Sequence, residues 1–368
     1  MKRLCVFARR SRHLSSLNSF RQLCAAAKPA FEDLSHSSRK DSEDKKHVYR
    51  NLYPWKSKGE FVRDLAGSIF YNQDGLIALS KPYGVPLSMN FRKEGRSQSM
   101  LKQRLHVSGF GESPYSLEDA LDGLAVHLNV DQIMIVKSAE RYASGVTILA
   151  SNEQAARSAQ KAVLRAKPMQ IPYTTAWIIA KGYPVRDEVK EKVAIKLVPV
   201  NESEKRVEVL REFSKTASKT RVVKAVLVEC QTLSKNTSMA MSLLQVAASN
   251  VHKSFLRAYV ANLASCVMGD LSPNACLTKY HQGRPLVLSP VAAASAKPQP
   301  LPDAVCKQLG ISNTQQQIVP AMVHYRSLLL PWYHGKDQHL LLSDPTLPKH
   351  FSWTLEALGL LPDLHPKK

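Results

Sequence analysis

The stretch Gln132–Ala150, which reads QIMIVKSAERYASGVTILA, decides the fold because it places two apolar runs on either side of a polar loop. The runs Ile133–Val136 and Val146–Ala150 are short and contain several β-branched residues, so they predict a strand–loop–strand unit. The loop Lys137–Ser144 carries basic side chains and one carboxylate, Glu140, and loops between rigid strands are where catalytic groups usually lie. Taken alone, the stretch favours a solvated hairpin tip, and the rest of the chain has to decide between the two interpretations.

The charge of the chain points to a polyanionic partner. Its 368 residues carry a formal net charge of +21, and such an excess favours nucleic acid; the alternative is a basic leader combined with solvated lysines. A hydrophobic fraction of 44% is ordinary for a globular protein, and no apolar run is long enough to predict a membrane span. The six cysteines contain no CxxC pair, which argues against zinc knuckles and a secreted disulfide framework.

The first 30 residues predict a mitochondrial transit peptide. They are rich in arginine and serine, contain interspersed apolar residues and hold no acidic residue, which is the composition typical of such leaders. The alternative is a basic arm that binds RNA directly. We expect residues 31–54 to form a disordered linker and the mature protein to act in the mitochondrial matrix.

A hairpin and a bent segment follow a helix that is predicted for Trp55–Phe70. Ile69–Tyr71 and Leu76–Leu79 predict two strands joined by a turn at Asn72–Gly75. The next residues, Lys81–Pro86, read KPYGVP. Because two prolines and a glycine restrict this backbone, the segment takes a bent, extended path.

Helical spacing and N-cap residues predict two further helices, and apolar alternation predicts two β regions. Ser116 precedes the first helix and Ser151 the second, where a serine side chain can accept hydrogen bonds from backbone N–H groups of the first turn. The predicted helices are Leu117–Leu128 and Asn152–Lys167, and the predicted β regions are Lys190–Leu210 and Ser214–Gln231.

The hairpin and the bent segment together resemble the first motif of the RluA-type RNA pseudouridine synthases. In that family a strand pair, ending in Lys-Pro-x-Gly, a hydrophobic residue and Pro, precedes the active site. The residues that match this motif are Asp74, Lys81, Pro82, Gly84, Val85 and Pro86.

The stretch quoted first stands at the place of the family's catalytic loop, which usually reads His-Arg-Leu-Asp-x-x-Thr-Ser-Gly. Anchored on Ser144 and Gly145, the loop here keeps Arg141 and has Glu140 where the family has its catalytic aspartate. The strand that follows the next helix keeps the tyrosine of a Lys-x-Tyr pattern as Tyr173.

Later segments complete the resemblance. The third motif of the family is a strand followed by Thr-Gly-Arg-x-His-Gln, a hydrophobic residue and Arg. Asn250–Arg257 has this layout but keeps only Arg257 of the signature. Gly269–Asp270 follows at the family spacing. Ala321–Pro331 and Leu340–Leu360 resemble the closing strands and the last helix. Each motif alone is weak, whereas several motifs in the right order favour the fold strongly.

The resemblance implies an α+β pseudouridine synthase catalytic fold over residues 55–361, with a curved mixed sheet flanked by helices and a tail at 362–368. It implies isomerisation of uridine to pseudouridine in mitochondrial mRNA or rRNA, without a metal or another cofactor. We also expect a monomer without a membrane span that binds this RNA. Proteins of mitochondrial RNA granules or of ribosome assembly are the further partners that we expect.

The resemblance gives three residues catalytic roles. Glu140 stands for the catalytic aspartate, Arg257 would pair with it, and Tyr173 would stack on the flipped base. A glutamate keeps the charge but displaces it by about 1.5 Å, and misplacement by roughly 1 Å can cost about 10²-fold in rate. The candidates for RNA binding are Lys81, Lys137, Arg141, Arg157 and Lys253.

Two functions therefore stay open at the level of sequence. One is an active mitochondrial pseudouridine synthase, and the other is a catalytically inactive RNA-binding protein of the same fold that supports ribosome assembly or RNA stability. If the motifs are aligned correctly, Lys81–Pro86, Lys137–Gly145 and Asn250–Arg257 converge on one basic cleft. Glu140 then lies within about 12 Å of Arg257.

Overall fold

The computed structural model describes residues 47–89, 108–202, 205–251, 254–271, 287–293 and 299–362. All of these residues belong to one compact unit, Ser42–Lys368. The predicted transit peptide, most of the predicted linker and Lys253 lie outside the described residues. Among the described helices, none is both long and apolar enough to cross a membrane.

The described strands join into one mixed sheet. They are β1 (Ile69–Gln73), β2 (Leu76–Lys81), β3 (Met134–Lys137), β4 (Ser144–Ala150), β5 (Thr174–Lys181), β6 (Glu188–Pro199), β7 (Lys205–Leu210), β8 (Lys224–Asn236), β9 (Met241–Ala248), β10 (Cys266–Val267), β11 (Val323–Gly335) and β12 (Gln338–Ser343). The order is β1-β2-β4-β11-β5-β9-β8-β6-β7, with β3 paired to β4, β10 to β5 and β12 to β11. The pair β4–β11 is parallel, and the other described pairs are antiparallel.

Helices flank this sheet, so the predicted α+β class is confirmed. The described α-helices are α1 (Lys58–Gly67), α2 (Leu117–Leu128), α3 (Glu153–Ala166), α4 (Lys215–Lys219), α5 (Phe255–Asn262), α6 (Pro290–Ala293), α7 (Asp303–Gln308) and α8 (Lys349–Ala357). Short 3-10 turns occur at Val48–Arg50 and Asn313–Ile318.

The central strand β5 is buried on both faces of the sheet. Ile178 packs in a cluster that includes Phe255 of α5, whereas the next residue, Ile179, packs in a second cluster that includes Phe351 of α8. Successive side chains of a strand point to opposite faces, so each face of β5 contacts a different core. This explains why its sequence is almost continuously apolar instead of alternating.

Gly145 allows the parallel pair β4–β11 to form. It lies opposite Tyr325 in the register of the two strands and has a φ of +111°, a conformation that side-chain-bearing residues rarely adopt. A Cβ atom at this position would lie 2.2 Å from the carbonyl oxygen of Tyr325. Glycine is therefore required at the end of the loop that carries Glu140.

The hairpin β1–β2 and helix α2 agree with their sequence predictions. Asp74 and Gly75 form the turn of the hairpin with φ values of 51° and 76°, the left-handed backbone that tight hairpin turns need. Ser116 caps α2: its Oγ accepts a hydrogen bond from the Asp119 N–H at 3.2 Å, and the Asp119 carboxylate accepts one from the Ser116 N–H at 2.8 Å. The turn between β1 and β2 is thus set by the backbone conformation of two residues, and the start of α2 is set by local hydrogen bonds.

Two local predictions need correction. Helix α3 is capped by Asn152 instead of Ser151, because the Asn152 side chain accepts the Ala155 N–H at 2.8 Å. The predicted β region Ser214–Gln231 begins with helix α4, since Ser214 Oγ accepts the Ala217 N–H at 3.0 Å and starts a helical turn.

The boundary of the predicted linker also needs correction. Residues 47–54 pack on the domain: Tyr49 is fully buried, and its hydroxyl lies 2.7 Å from Thr354 Oγ1 of α8. Leu52 is also buried. The domain therefore begins before Trp55, because aromatic and aliphatic side chains that can be buried in this way stabilise an ordered backbone.

Candidate active site

The three segments that the sequence predicted to converge do meet. The Gly84 N–H donates a hydrogen bond to the Arg141 carbonyl at 3.0 Å, which joins the bent segment to the loop before β4. The Ser254 N–H donates to Oε1 of Glu140 at 2.9 Å, which joins that loop to the start of α5. The loop is therefore joined to the bent segment through its backbone and to the start of α5 through the Glu140 side chain.

The carboxylate of Glu140 is held at the N-terminal end of a helix. Ser254 is the N-cap of α5 and adopts a left-handed backbone with a φ of 66°, which turns its N–H towards Glu140. The first N–H groups of a helix lack intrahelical partners and favour a negative charge. The hydroxyl of Tyr325 makes a longer contact of 3.5 Å with Oε2. Together these donors fix the position of the carboxylate.

Arg257 does not take the role that the resemblance implied. Within the described residues its ion pair is with Asp270, at 2.9 Å between Nη1 and Oδ1, instead of with Glu140. Its Nη2 donates to Ser254 Oγ at 2.7 Å, and its guanidinium lies 4.0 Å above the ring of Tyr142. Glu140 and Arg257 thus bind the same residue, Ser254. Their separation is therefore well below the distance of about 12 Å that would have contradicted the motif alignment.

An open cleft lies beside Glu140. Its volume is about 190 Å³, which is below the roughly 300–1,000 Å³ that is typical of sites enclosing a whole drug-sized ligand. The polar and aromatic side chains that line it come from β3, the Glu140 loop, the end of α3 and segments next to β5, β9 and β11. They are Lys137, Glu140, Lys167, Tyr173, Asn250 and Tyr325.

Tyr173 lines this cleft, but its ring is covered. The residue is 2% exposed, and the Lys137 ammonium lies 5.4 Å from the centre of its ring. Burial raises the pKa of the Tyr173 hydroxyl to about 12, so the phenol stays neutral at physiological pH. Stacking of a base on Tyr173 therefore requires Lys137 to move away from the ring.

Lys81 cannot bind RNA in this structure, which corrects a sequence prediction. Its side chain is 1% exposed, and its ammonium donates to the carbonyl oxygens of Val85 and Ala143, both at 3.0 Å, and of Pro82 at 3.2 Å. Burial lowers the pKa of Lys81 to about 7, and the nearby Arg141 acts in the same direction. Lys81 is a structural lysine that joins the bent segment to the loop before β4.

The other candidates for RNA binding lie in different environments. Lys137 lines the cleft, whereas Arg141 is half-buried and donates through Nε to the Gly84 carbonyl at 3.2 Å. Arg157 lies on the exposed side of α3 and pairs with Glu153 one turn earlier. Of these three, only Lys137 lies against the Glu140 cleft.

A buried group beneath the site has the residue types of a hydrolase triad but not its accessibility. Ser144 Oγ lies 3.1 Å from Nδ1 of His324, and Nε2 of His324 lies 3.7 Å from Asp344. All three residues are fully buried, so a substrate cannot reach the serine. Burial also lowers the pKa of His324 to about 3, which keeps its ring neutral. This cluster is a packed polar core.

Four residues near Glu140 were not predicted as functional. Asp270 had a signal in the sequence, because Gly269–Asp270 follows Arg257 at the family spacing. Ser254 lay in a segment that was predicted to converge on the cleft, but its own role, like those of Lys167 and Tyr325, depends on contacts between distant parts of the chain. Ser254 and Glu140, for example, are 114 positions apart. The described residues also contain no cluster of histidine, cysteine and acidic side chains that could hold a metal ion.

Comparison with known proteins found several mitochondrial pseudouridine synthases that are similar over most of this chain. The mitochondrial mRNA pseudouridine synthase RPUSD3 of Bos taurus is 27% identical over 315 residues, which cover 83% of this chain and 81% of that protein. The human protein of the same name is 27% identical over 313 residues, covering 83% and 79%. The mitochondrial pseudouridylate synthase RPUSD4 of Danio rerio is 25% identical over 319 residues, covering 82% and 75%. No family model matches the chain.

A solved structure shares the fold. Human RNA pseudouridylate synthase domain containing 4 superposes with a TM-score of 0.57 and 19% identity, covering 83% of this chain and 98% of that one. At this identity the similarity establishes the fold, which is that of the pseudouridylate synthases. The resemblance drawn from the sequence motifs is therefore confirmed over most of the chain.

Proposed function

We propose that this protein is a mitochondrial RNA pseudouridine synthase that isomerises uridine in mitochondrial mRNA or rRNA, with Glu140 as its catalytic carboxylate. The observation that carries the proposal is the position of Glu140, which borders an open cleft and accepts the N–H of a helix N-cap at 2.9 Å. The relatives are named mitochondrial pseudouridine synthases, and the fold agrees with theirs.

The reaction needs an ionised carboxylate but no change of oxidation state. The glycosidic bond between the sugar and N1 of uracil breaks, the base rotates, and a new bond forms through C5. The hydrogen from C5 leaves as a proton, and N1 is protonated. The carboxylate acts at the sugar as a nucleophile or as a base, and hydrogen bonds to its charged form favour either role. The uridine has to leave any base stack before it can enter the cleft.

The neighbours of Glu140 position it. Ser254 holds one carboxylate oxygen, and the buried ion pair of Arg257 with Asp270 holds Ser254 through its hydroxyl. The replacement of the family aspartate by glutamate is compatible with this arrangement, because the longer side chain reaches the Ser254 N–H. Tyr173 provides an aromatic wall for the base once Lys137 has moved.

The relatives and the composition of residues 1–30 support a mitochondrial setting. The curated relatives are named as mitochondrial proteins, and residues 1–30 have the composition of a transit peptide. We infer action in the matrix, as a monomer, on RNA that is transcribed there. Proteins of RNA granules or of ribosome assembly are the partners that such a substrate suggests.

Mapping of pseudouridines tests the proposal directly. Cells that lack the protein are complemented with wild type, with Glu140→Gln or with the control Glu153→Gln, which changes an exposed carboxylate on α3. We expect wild type and the control to restore the modified positions and Glu140→Gln to restore none, while it keeps its melting temperature and RNA affinity. If Glu140→Gln restores every position, catalysis by Glu140 is excluded and the inactive RNA-binding alternative is favoured.

A further inference from the structure

Two lysines face the same cleft as Glu140 from different elements. Lys137 ends β3, and Lys167 is the C-cap residue of α3. Both line the cleft. Within the part of the chain that the structure describes, neither ammonium forms an ion pair with a carboxylate at 4.0 Å or less. The cleft therefore holds two basic groups and the carboxylate of Glu140, whose Oε1 accepts a hydrogen bond from Ser254.

The half-buried Lys137 ammonium is repelled by the ammonium of the exposed Lys167. Burial lowers the pKa of Lys137 to about 8, Lys167 lowers it further in the same direction, and Glu140 opposes the shift. Glu140 itself is engaged by Ser254. An anion between the two lysines would relieve the repulsion, because opposite charges a few ångströms apart attract strongly where water is partly excluded.

We propose that Lys137 and Lys167 form a phosphate-binding subsite, which takes a phosphodiester group next to the uridine that is isomerised. This inference rests on the proposed function, since the same cleft then holds the base and sugar beside Glu140. Two lysines provide up to six N–H donors, and a phosphate accepts charge-assisted hydrogen bonds of the stronger kind. The other walls of the cleft, Tyr173, Tyr325 and Asn250, offer aromatic and amide groups suited to a base.

The subsite also explains how Tyr173 becomes available. In the present arrangement Lys137 lies over the Tyr173 ring at 5.4 Å. A phosphate that draws the Lys137 ammonium towards Lys167 uncovers the ring for the base. Binding of the phosphate and stacking of the base are then coupled, so a nucleotide binds more tightly than a nucleoside with the same base.

Binding of small ligands tests this subsite. The dissociation constants of uridine, 5′-UMP, 3′-UMP and inorganic phosphate are measured by NMR titration for wild type, Lys137→Gln, Lys167→Gln and Lys167→Arg. The control is Lys161→Gln, an exposed lysine of α3 outside the cleft. We expect wild type to bind one of the monophosphates about 10-fold more tightly than uridine, which corresponds to about 1.4 kcal/mol. The monophosphate preferred by wild type identifies the side of the sugar that carries the bound phosphate.

The variants should distinguish an effect of the lysine charges on binding from an effect of misfolding. Lys167→Gln and Lys137→Gln should reduce the preference to less than about 3-fold, whereas Lys167→Arg and Lys161→Gln should keep it. Because Lys167 is exposed, its variant keeps the test valid even if Lys137→Gln does not fold. Equal binding of uridine and both monophosphates to wild type, or an unchanged preference in Lys167→Gln, overturns the subsite.

The outcomes also distinguish this inference from the proposed function. If inorganic phosphate shifts the resonances of wild type but not of Lys167→Gln, and no uridine compound binds more tightly than phosphate, the subsite stands and the uridine cleft is contradicted. If pseudouridines depend on Glu140 while the monophosphates show no preference over uridine, the proposed function stands and the subsite is wrong.

Discussion

The backbone N–H of Ser254 donates a 2.9 Å hydrogen bond to Oε1 of Glu140, across 114 positions of sequence. The carboxylate is thus anchored to the N-terminal end of a helix, and Arg257 supports that anchor from the other side through Ser254 Oγ. This arrangement differs from a direct arginine–carboxylate pair, and it makes the length of the Glu140 side chain important.

Shortening the side chain of Glu140 should lower activity. Glu140→Asp withdraws the carboxylate by one methylene, about 1.5 Å, from the Ser254 N–H. Because misplacement by roughly 1 Å can cost about 10²-fold in rate, we expect a decrease of that order in kcat on an RNA substrate, with a small change in RNA affinity. Activity equal to or above wild type would mean that the glutamate is not held in its working position by Ser254.

The buried ion pair of Arg257 with Asp270 should be important for stability. The two side chains are only 12% and 6% exposed, so Asp270→Asn leaves a buried guanidinium without its carboxylate. Such changes typically cost about 3–5 kcal/mol, which urea unfolding can measure. Arg157→Gln is the matched control, because its pair with Glu153 is exposed and is worth about 0.5 kcal/mol or less. Equal losses in the two variants would contradict this role.

Lys81 should make stability depend on pH in the alkaline range. The pKa of Lys81 is about 7 in the fold against 10.5 for an ordinary lysine, so between these values the unfolded chain binds more protons. The contribution of Lys81 to the free energy of unfolding therefore rises as the pH increases from 7 to 10.5, and it decreases again when the pH is lowered from 10.5 to 7.

Replacement of Lys81 isolates this contribution. In Lys81→Met the titration is absent, so the free energy of unfolding of wild type minus that of the variant should increase between pH 7 and 10. Subtraction cancels other groups that titrate in this range, such as Lys137. For the control Lys161→Met, which changes an exposed lysine, the same difference in the free energy of unfolding should stay constant with pH. If the difference also stays constant for Lys81→Met, burial does not destabilise the Lys81 ammonium.

RNA affinity should depend on salt. Each phosphate that is neutralised on a single strand contributes a slope of roughly 0.7 in a plot of log affinity against log salt concentration. If Lys137 contacts one phosphate, Lys137→Gln should reduce the slope by about that amount for a short uridine-containing oligonucleotide. A flat dependence for wild type would count against RNA as the partner.

Local structure followed from local sequence. The turn at Asp74–Gly75 and the cap of α2 at Ser116 depend on residues within a few positions, and both are observed. The errors were also local. The N-cap residues of α3 and α4 are Asn152 and Ser214, and a single sequence does not show which of several polar residues caps a helix. The strand β5 was anticipated only through the family resemblance, as the strand that follows helix α3 and Tyr173.

The sequence by itself determined the order of elements, the motif spacing and the placement of one carboxylate in the loop before β4. The tertiary structure alone decided which charges meet: Arg257 pairs with Asp270, Lys81 is buried among carbonyls, and Lys137 covers Tyr173. Propensities and periodicities depend on residues one or two turns apart. The partner of a charge and its access to water depend on chain segments that only packing of the sheet and helices brings together.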